Sequence, residues 1–263
     1  MDRRTFVGAA VALTVSLLPG CRASRSGLSS PVDTAAGARP RPGRLGARPG
    51  PPTAAAARIG LQPLDLDPDR DGFVFVPQAA SSGQPRPLVL MLHGAGGTGR
   101  AGLAPFLDGA DEAGALLLAP DSRGRTWDAI GGNYGRDVAF IDRALRQTFQ
   151  RYSVDPRQVA VEGFSDGASY ALGIGLANGD LFSRVIAFSP GFSPPGADEG
   201  RPRVFVSHGT GDDVLPIDRC SRRIVPALRR RGYDVRYEEF EGGHELPAAI
   251  TAQALAWFRA DGG

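Results

Sequence analysis

The stretch Gly163-Phe164-Ser165-Asp166-Gly167 reads G-x-S-x-G, a pattern that sets a serine nucleophile on a sharp turn between a strand and a helix. Such a turn holds the serine in a strained backbone conformation with Oγ exposed above a sheet. Glycines two residues to either side remove the Cβ atoms that would clash there. The flanks agree with this reading. Gln158-Val159-Ala160-Val161-Glu162 is short, β-branched and alternating, as a strand should be. The apolar, small-residue run from Asp166 to Ala177 reads as a helix packed close on a sheet, and Asn178-Gly179 supplies its stop.

A serine needs a base, and the chain has only three histidines, His93, His208 and His244. Where a strand-turn-helix serine works with an acid and a histidine, the chain order is serine, acid, histidine. His244 comes last, in the glycine-rich loop Glu241-Gly242-Gly243-His244 that follows the strand-like run 234–240. The acid should follow a late strand. Residues 203–207 read as that strand and lead into His208-Gly209-Thr210-Gly211-Asp212-Asp213, where either aspartate is a candidate. His208 reads as a brace for this loop.

An acyl-transfer site also needs two N–H groups aimed at the developing oxyanion. One comes from the residue after the nucleophile, Asp166; the other from a loop after an early strand. The apolar strand 87–92 runs into His93-Gly94-Ala95-Gly96-Gly97, which makes Ala95 N–H the first candidate and Gly96 the second. The same loop also fits G-x-G-x-x-G (Gly94, Gly96, Gly99), with Asp121 about 20 residues on, the fingerprint of a dinucleotide-binding turn. A nicotinamide-dependent oxidoreductase is therefore the rival from another class. It leaves Ser165, the aspartate loop and His244 unused, whereas the hydrolase reading uses all of them.

Five segments together carry a family resemblance: LVLMLHGAGGTG (88–99), YSVDPRQVAVEGFSDGASYALGIGLANGDLF (152–182), IAFSPGF (186–192), VFVSHGTGDDVLPI (204–217) and FEGGHELP (240–247). The chain resembles α/β-hydrolase fold esterases of the phospholipase/carboxylesterase and polyhydroxybutyrate depolymerase-like group, over residues from about 72 to 260. The resemblance implies a Ser165, Asp212, His244 triad, with Asp212 favoured over Asp213, and cleavage of carboxylic ester or thioester bonds. Asp213 stands where such relatives frequently have proline. The fold hosts many substrates and names none. Acyl thioesterase, lysophospholipase and serine peptidase activities on the same fold are the alternatives, and a non-catalytic binding relative is a further class.

The first 21 residues read as an export signal: Arg3-Arg4 resembles a twin-arginine start, and Phe6 to Leu18 is an apolar run too short to span a bilayer. Leu18-Pro19-Gly20-Cys21 resembles a bacterial lipobox with Cys21 lipidated, which would place the protein in the periplasm or on the cell surface. Residues 22–57, rich in Pro, Ala, Gly and Arg, read as a disordered tether. Residues 1–60 carry nine Arg against two Asp, while 61–263 carry 21 Arg against 26 Asp and Glu. The basic balance thus belongs to the leader and tether, and the acidic remainder argues against a nucleic-acid partner. No cluster has metal-ligand spacing, so neither metal nor other cofactor is expected.

Residues 58–263 suffice for one domain. Strands expected near 72–76, 87–92, 115–119, 158–162, 184–188, 203–207 and 234–240 alternate with helices, which predicts an α/β-hydrolase fold: a mainly parallel sheet flanked by helices on both faces. Segment 137–151 is expected to be an amphipathic helix capped by Asp137, with Phe140, Ile141, Leu145 and Phe149 inward. The short connection from Phe188 to Arg203 leaves no room for a large lid domain and predicts an open cleft for bulky esters. Trp127, Tyr134, Phe164 and Phe192 are the candidates for its wall.

Overall fold

The computed structural model describes residues 41–55 and 58–260. The twin-arginine-like start, the lipobox-like Cys21 and most of the expected tether lie outside the described residues. The core of the structure is one eight-stranded sheet, in the order β1 (Gly60–Pro63), β2 (Gly72–Val76), β4 (Leu116–Pro120), β3 (Arg86–Leu92), β5 (Val154–Phe164), β6 (Arg184–Phe188), β7 (Arg203–Gly209) and β8 (Val235–Phe240). β1 and β2 run antiparallel; β3 to β8 are mutually parallel. Strands buried on both faces should be apolar throughout, and Leu88 to Leu92 and Leu116 to Ala119 are.

Among the described residues six α-helices cover the sheet: α1 (Gly99–Leu103), α2 (Leu107–Ala113), α3 (Arg136–Arg151), α4 (Asp166–Ala177), α5 (Ser221–Arg230) and α6 (Ala248–Arg259). One core packs α3, α4 and α5 against one face; the other packs α1, α2 and α6 against the opposite face. α3 buries Phe140, Ile141, Leu145 and Phe149, as its periodicity predicts. Each such side chain is worth about 1.5–3 kcal/mol of transfer free energy. α4 is buried nearly all round, which explains its run of Ala and Gly: a Cβ on Gly175 would press on Val185 and Val161 of the sheet.

Three expectations need correction. β1 was not among the seven strands expected; it is a four-residue edge strand, Gly-Leu-Gln-Pro, too short and polar to show a period. Asp137 does not cap α3. Gly135 holds the cap position, and the buried Asp137 carboxylate instead accepts from the Arg123 and Asp128 N–H groups at 2.5 and 2.6 Å. The end of the expected tether also belongs to the fold. Leu45 and Ala47 are buried, and Asn178 clasps this segment: its Oδ1 accepts from Leu45 N–H, and its Nδ2 donates to the Gly43 and Ile174 carbonyls. Arg44 and Arg48 both reach Asp180. These contacts depend on individual polar side chains, which is why no apolar periodicity announced them.

Candidate active site

Each candidate catalytic side chain leaves the carboxyl end of a parallel strand, where open α/β sheets place their sites. Ser165 follows β5 directly. Its φ of 59° is rare for a residue with a side chain, and its N–H is tied to the Phe188 carbonyl at 2.9 Å. The two motif glycines are sterically required. A Cβ on Gly163 would collide with the Gly167 carbonyl, and one on Gly167 with the Leu92 carbonyl. Glycine is thus needed where β5, α4 and the end of β3 converge.

Ser165 Oγ lies 2.8 Å from His244 Nε2, and His244 Nδ1 lies 2.7 Å from Asp212 Oδ2. The loops carrying His244 and Asp212 are zipped together: Thr210 N–H donates to the Phe240 carbonyl, and Gly211 N–H to the Gly242 carbonyl. A Cβ on Gly209 would close that approach. Of the two aspartates, only Asp212 faces the histidine; Asp213 is exposed. Asp212 Oδ1 accepts from the Val214 and Leu215 N–H groups at 3.0 and 2.7 Å. Burial alone would raise the Asp212 pKa, but the Leu215 N–H, His244 and His208 outweigh it and hold the carboxyl below its ordinary value.

His208 is fully buried beside this acid. Its Nε2 donates to the Leu215 carbonyl at 2.8 Å and lies 3.2 Å from Asp212 Oδ2, while Nδ1 lies 2.7 Å from Ser221 Oγ. Burial pushes its pKa down, so it sits as a neutral ring with its proton on Nε2. It steadies the Leu215 turn whose N–H holds Asp212.

Ala95 lies in the turn after β3, against the serine: a Cβ on the neighbouring Gly94 would stand 3.4 Å from Ser165 Cβ. The Gly96 N–H is taken by the Arg125 carbonyl at 2.7 Å, so the second oxyanion candidate is already committed. The Asp166 N–H opens α4, in the first turn, where a helix leaves its N–H groups without internal partners. The glycines of the dinucleotide-like pattern have structural roles here. Gly96 takes a φ of 73°, Gly99 packs on the Ala119 carbonyl, and Asp121 accepts from Gly99 N–H at 2.6 Å.

The loop after β4 is the part of the site that sequence reading missed. Ser122 N–H donates to His93 Nε2 at 3.0 Å, and His93 Nδ1 reaches the Gly94 carbonyl at 2.7 Å, so His93 is a neutral brace of the Ala95 turn. Burial lowers its pKa. Trp127 Nε1 donates to the His93 carbonyl at 2.8 Å, and Thr126 Oγ1 donates to the Asp166 carboxylate at 2.7 Å. Asp128 and Asp137 knot this loop: Asp128 accepts from Tyr170 OH, Gly135 N–H and Asp137 N–H. A run of aspartates in a loop signals nothing of this kind until its partners are in place.

The expected cleft wall is revised accordingly. Trp127 is only 1% exposed, because its indole N–H serves the His93 carbonyl from below. Tyr134 packs on Tyr170, and together with the 40%-exposed Phe192 it lines a cavity shared with Pro42, Ile130 and Pro194, apart from the three catalytic candidates. Phe164 alone stands at the site. Its ring lies 4.8 Å from that of His244 and lines a 320 Å³ cavity with Gly94, Ala95, Met91, Phe106 and Leu246.

No family model matches the chain. It is 28% identical over 158 residues to feruloyl esterase C of Emericella nidulans, covering 57% of each chain. It is 29% identical over 134 residues to the poly(3-hydroxybutyrate) depolymerase of Ralstonia pickettii, covering 43% of this chain and 28% of that one. The chain thus spans little more than half the length of that feruloyl esterase and less than a third of that depolymerase. Among solved structures, esterase PE8 superimposes with a TM-score of 0.60 at 26% identity, covering 76% of this chain and 99% of that one. The chain has the α/β-hydrolase fold, and its similarities lie with the carboxylesterase and polyhydroxybutyrate depolymerase-like group.

Proposed function

We propose that this protein is a serine hydrolase that cleaves carboxylic esters through an acyl-enzyme on Ser165. The observation that carries the reading is the continuous relay from Ser165 Oγ through His244 to Asp212, with hydrogen bonds of 2.8 and 2.7 Å. His244 Nε2 takes the serine proton as Oγ attacks the ester carbonyl. Asp212 holds the proton on Nδ1 and stabilises the imidazolium that forms. Ala95 and Asp166 N–H groups hold the oxyanion, each such donor being worth about 3–4 kcal/mol in the transition state. His244 then protonates the leaving alcohol. A water molecule, activated by the same ring, attacks the acyl-enzyme and frees Ser165.

The test is a chromogenic ester series of rising acyl length, extended to a feruloyl ester and a hydroxybutyrate oligomer, run beside Ser165→Ala. The expected result is hydrolysis by the wild type and none above background by the variant. Equal rates for the two proteins at every length would refute the reading. From sequence alone, we further propose that residues 1–21 act as an export leader ending at a lipidated Cys21, followed by a tether that gives way to the catalytic domain. A Cys21→Ala chain that still partitions with membranes as the wild type does would refute the anchor.

A further inference from the structure

Glu162 stands out as a carboxyl that the proposed reaction does not use. It lies on β5 three residues before Ser165, so the two Cα atoms are roughly 10 Å apart at about 3.3 Å per residue. On an alternating strand it shares a face with Ala160 and Phe164, between Met91 of β3 and Ile186 of β6. That face belongs to an apolar core. Glu162 is 4% exposed, and its side chain forms no hydrogen bond or ion pair with another described residue. Its side chain lines the cavity that reaches Gly94, Ala95 and Phe164 at the nucleophile.

The rest of that cavity is lined by Met91, Leu92, Ala101, Pro105, Phe106 and Leu246, and the one other titratable side chain in it is His93. Both ring nitrogens of His93 are already engaged, by Gly94 and Ser122. A carboxyl in such surroundings stays protonated, since burial pushes its pKa well above the ordinary value and no cation offsets it. A neutral carboxyl offers one donor and free acceptor capacity. A wholly apolar ligand that displaced water from the carboxyl would leave both unmatched, which is costly.

We infer that this cavity receives one arm of the substrate, and that Glu162 selects an arm that is apolar along its length and carries a hydroxyl group near its far end. The inference rests on the reading of Ser165 as an ester-cleaving nucleophile. The hydroxyl would accept the carboxyl proton and donate to the carboxyl oxygen, satisfying both groups at once. Glu162 thus acts as a specificity-determining residue: it touches the substrate far from the bond that breaks.

The experiment compares chromogenic hexanoate and ω-hydroxyhexanoate esters in wild type, Glu162→Gln and Glu162→Leu. A matching pair of hexyl and ω-hydroxyhexyl acetates tells whether the acyl or the alcohol arm enters. The expected result is a kcat/KM ratio favouring the hydroxylated arm by about ten- to hundredfold in the wild type, smaller in Glu162→Gln and inverted in Glu162→Leu. Binding of hexanamide, its ω-hydroxy analogue and its ω-ammonium analogue to Ser165→Ala, with and without Glu162→Leu, is measured by calorimetry. This arm needs no turnover, so a failed esterase reading is separable from a failed inference. The N-hexylacetamide series, plain and ω-hydroxy, is measured in the same way for the alcohol arm; equal binding of hydroxylated and plain amides in both series, or a preference that survives Glu162→Leu, overturns the inference whatever the ester assay gives. Tighter binding of the ω-ammonium analogue overturns the hydroxyl assignment. Glu162→Gln preserves size and hydrogen bonding and serves the comparison should Glu162→Leu fail to fold.

Discussion

Replacing Asp212 by asparagine tests the site most sharply, because geometry dictates how the new side chain must sit. In the wild type, Oδ1 accepts from two fixed backbone N–H groups, of Val214 and Leu215, and Oδ2 faces His244 Nδ1 at 2.7 Å and His208 Nε2 at 3.2 Å. An asparagine keeps its carbonyl oxygen where the two N–H groups point. Its NH2 is then left facing two imidazole nitrogens. Toward His208 it meets a donor, since that Nε2 proton goes to the Leu215 carbonyl. Toward His244 it donates to Nδ1, which moves the ring proton to Nε2. Nε2–H then confronts Ser165 Oγ and no longer takes its proton. Loss of the correct tautomer and of imidazolium stabilisation together should lower kcat about ten-thousandfold, or about 5 kcal/mol. The unmatched donor pair costs about 1–3 kcal/mol of stability, so a thermal melt run alongside should show a folded but weakened protein. Rates on a chromogenic ester, normalised to folded protein concentration, provide the assay. Asp213→Asn is the control and should stay within about twofold of wild type, as an exposed substitution does. Activity in Asp212→Asn above a tenth of wild type, or an equal loss in Asp213→Asn, would refute the assignment of the acid.

Three further outcomes follow from the same geometry. Ser165→Gly should melt about 2–4 °C above Ser165→Ala, since glycine accepts the φ of 59° and relieves roughly 1 kcal/mol of net strain; equal melting temperatures would show the turn to be unstrained. Asn178→Ala removes three hydrogen bonds that join Leu45, Gly43 and Ile174 and should cost about 2–4 kcal/mol in urea unfolding; a loss under 1 kcal/mol would remove residues 43–48 from the folded unit. Glu162 has a folded-state pKa raised above its ordinary 4.5, so the folded chain keeps a proton that the unfolded chain releases as pH rises past that value. Glu162→Gln should therefore out-melt the wild type increasingly above pH 4.5 and match it below, and a gap independent of pH would contradict a protonated buried carboxyl.

What could be read from the chain was what depends on local pattern. Alternation and apolar runs placed seven of the eight strands, and the spacing of Phe140, Ile141, Leu145 and Phe149 placed the inner face of α3. Ser165, the aspartate loop and His244 follow three different strands, so their order along the chain was enough to nominate them together. What stayed hidden depends on partners distant in sequence. Trp127 looked like a cleft-lining aromatic until its indole N–H was seen to serve the His93 carbonyl, 34 residues away. Asp137 looked like a cap because it stands at a helix start; it instead receives two N–H groups from the loop before it. The segment around Leu45 has the composition of a linker and is nevertheless held, because Asn178 and Asp180, more than 130 positions on, happen to present the right donors and acceptors.

The buried carboxyls near the site show why depth alone does not assign chemistry. Asp212 and Glu162 are both buried, yet their pKa values move in opposite directions. Asp212 receives two backbone N–H groups and faces two imidazole nitrogens, and these outweigh its burial. Glu162 has burial as its sole influence. Asp137 is the intermediate case: it accepts two backbone N–H groups and lies near the Arg123 guanidinium, yet burial dominates and its pKa is still raised. His208, which touches neither the nucleophile nor the base, acts on Asp212 through the Leu215 turn: its ring holds the Leu215 carbonyl, and the Leu215 N–H holds Asp212. The same reasoning gives Glu162 its opposite use, since a carboxyl with no donors around it stays neutral and has its own hydrogen to offer. One carboxyl bonded to His244 and another three residues before Ser165 are thus driven apart by the donors around them, as the proposed division between base and substrate requires.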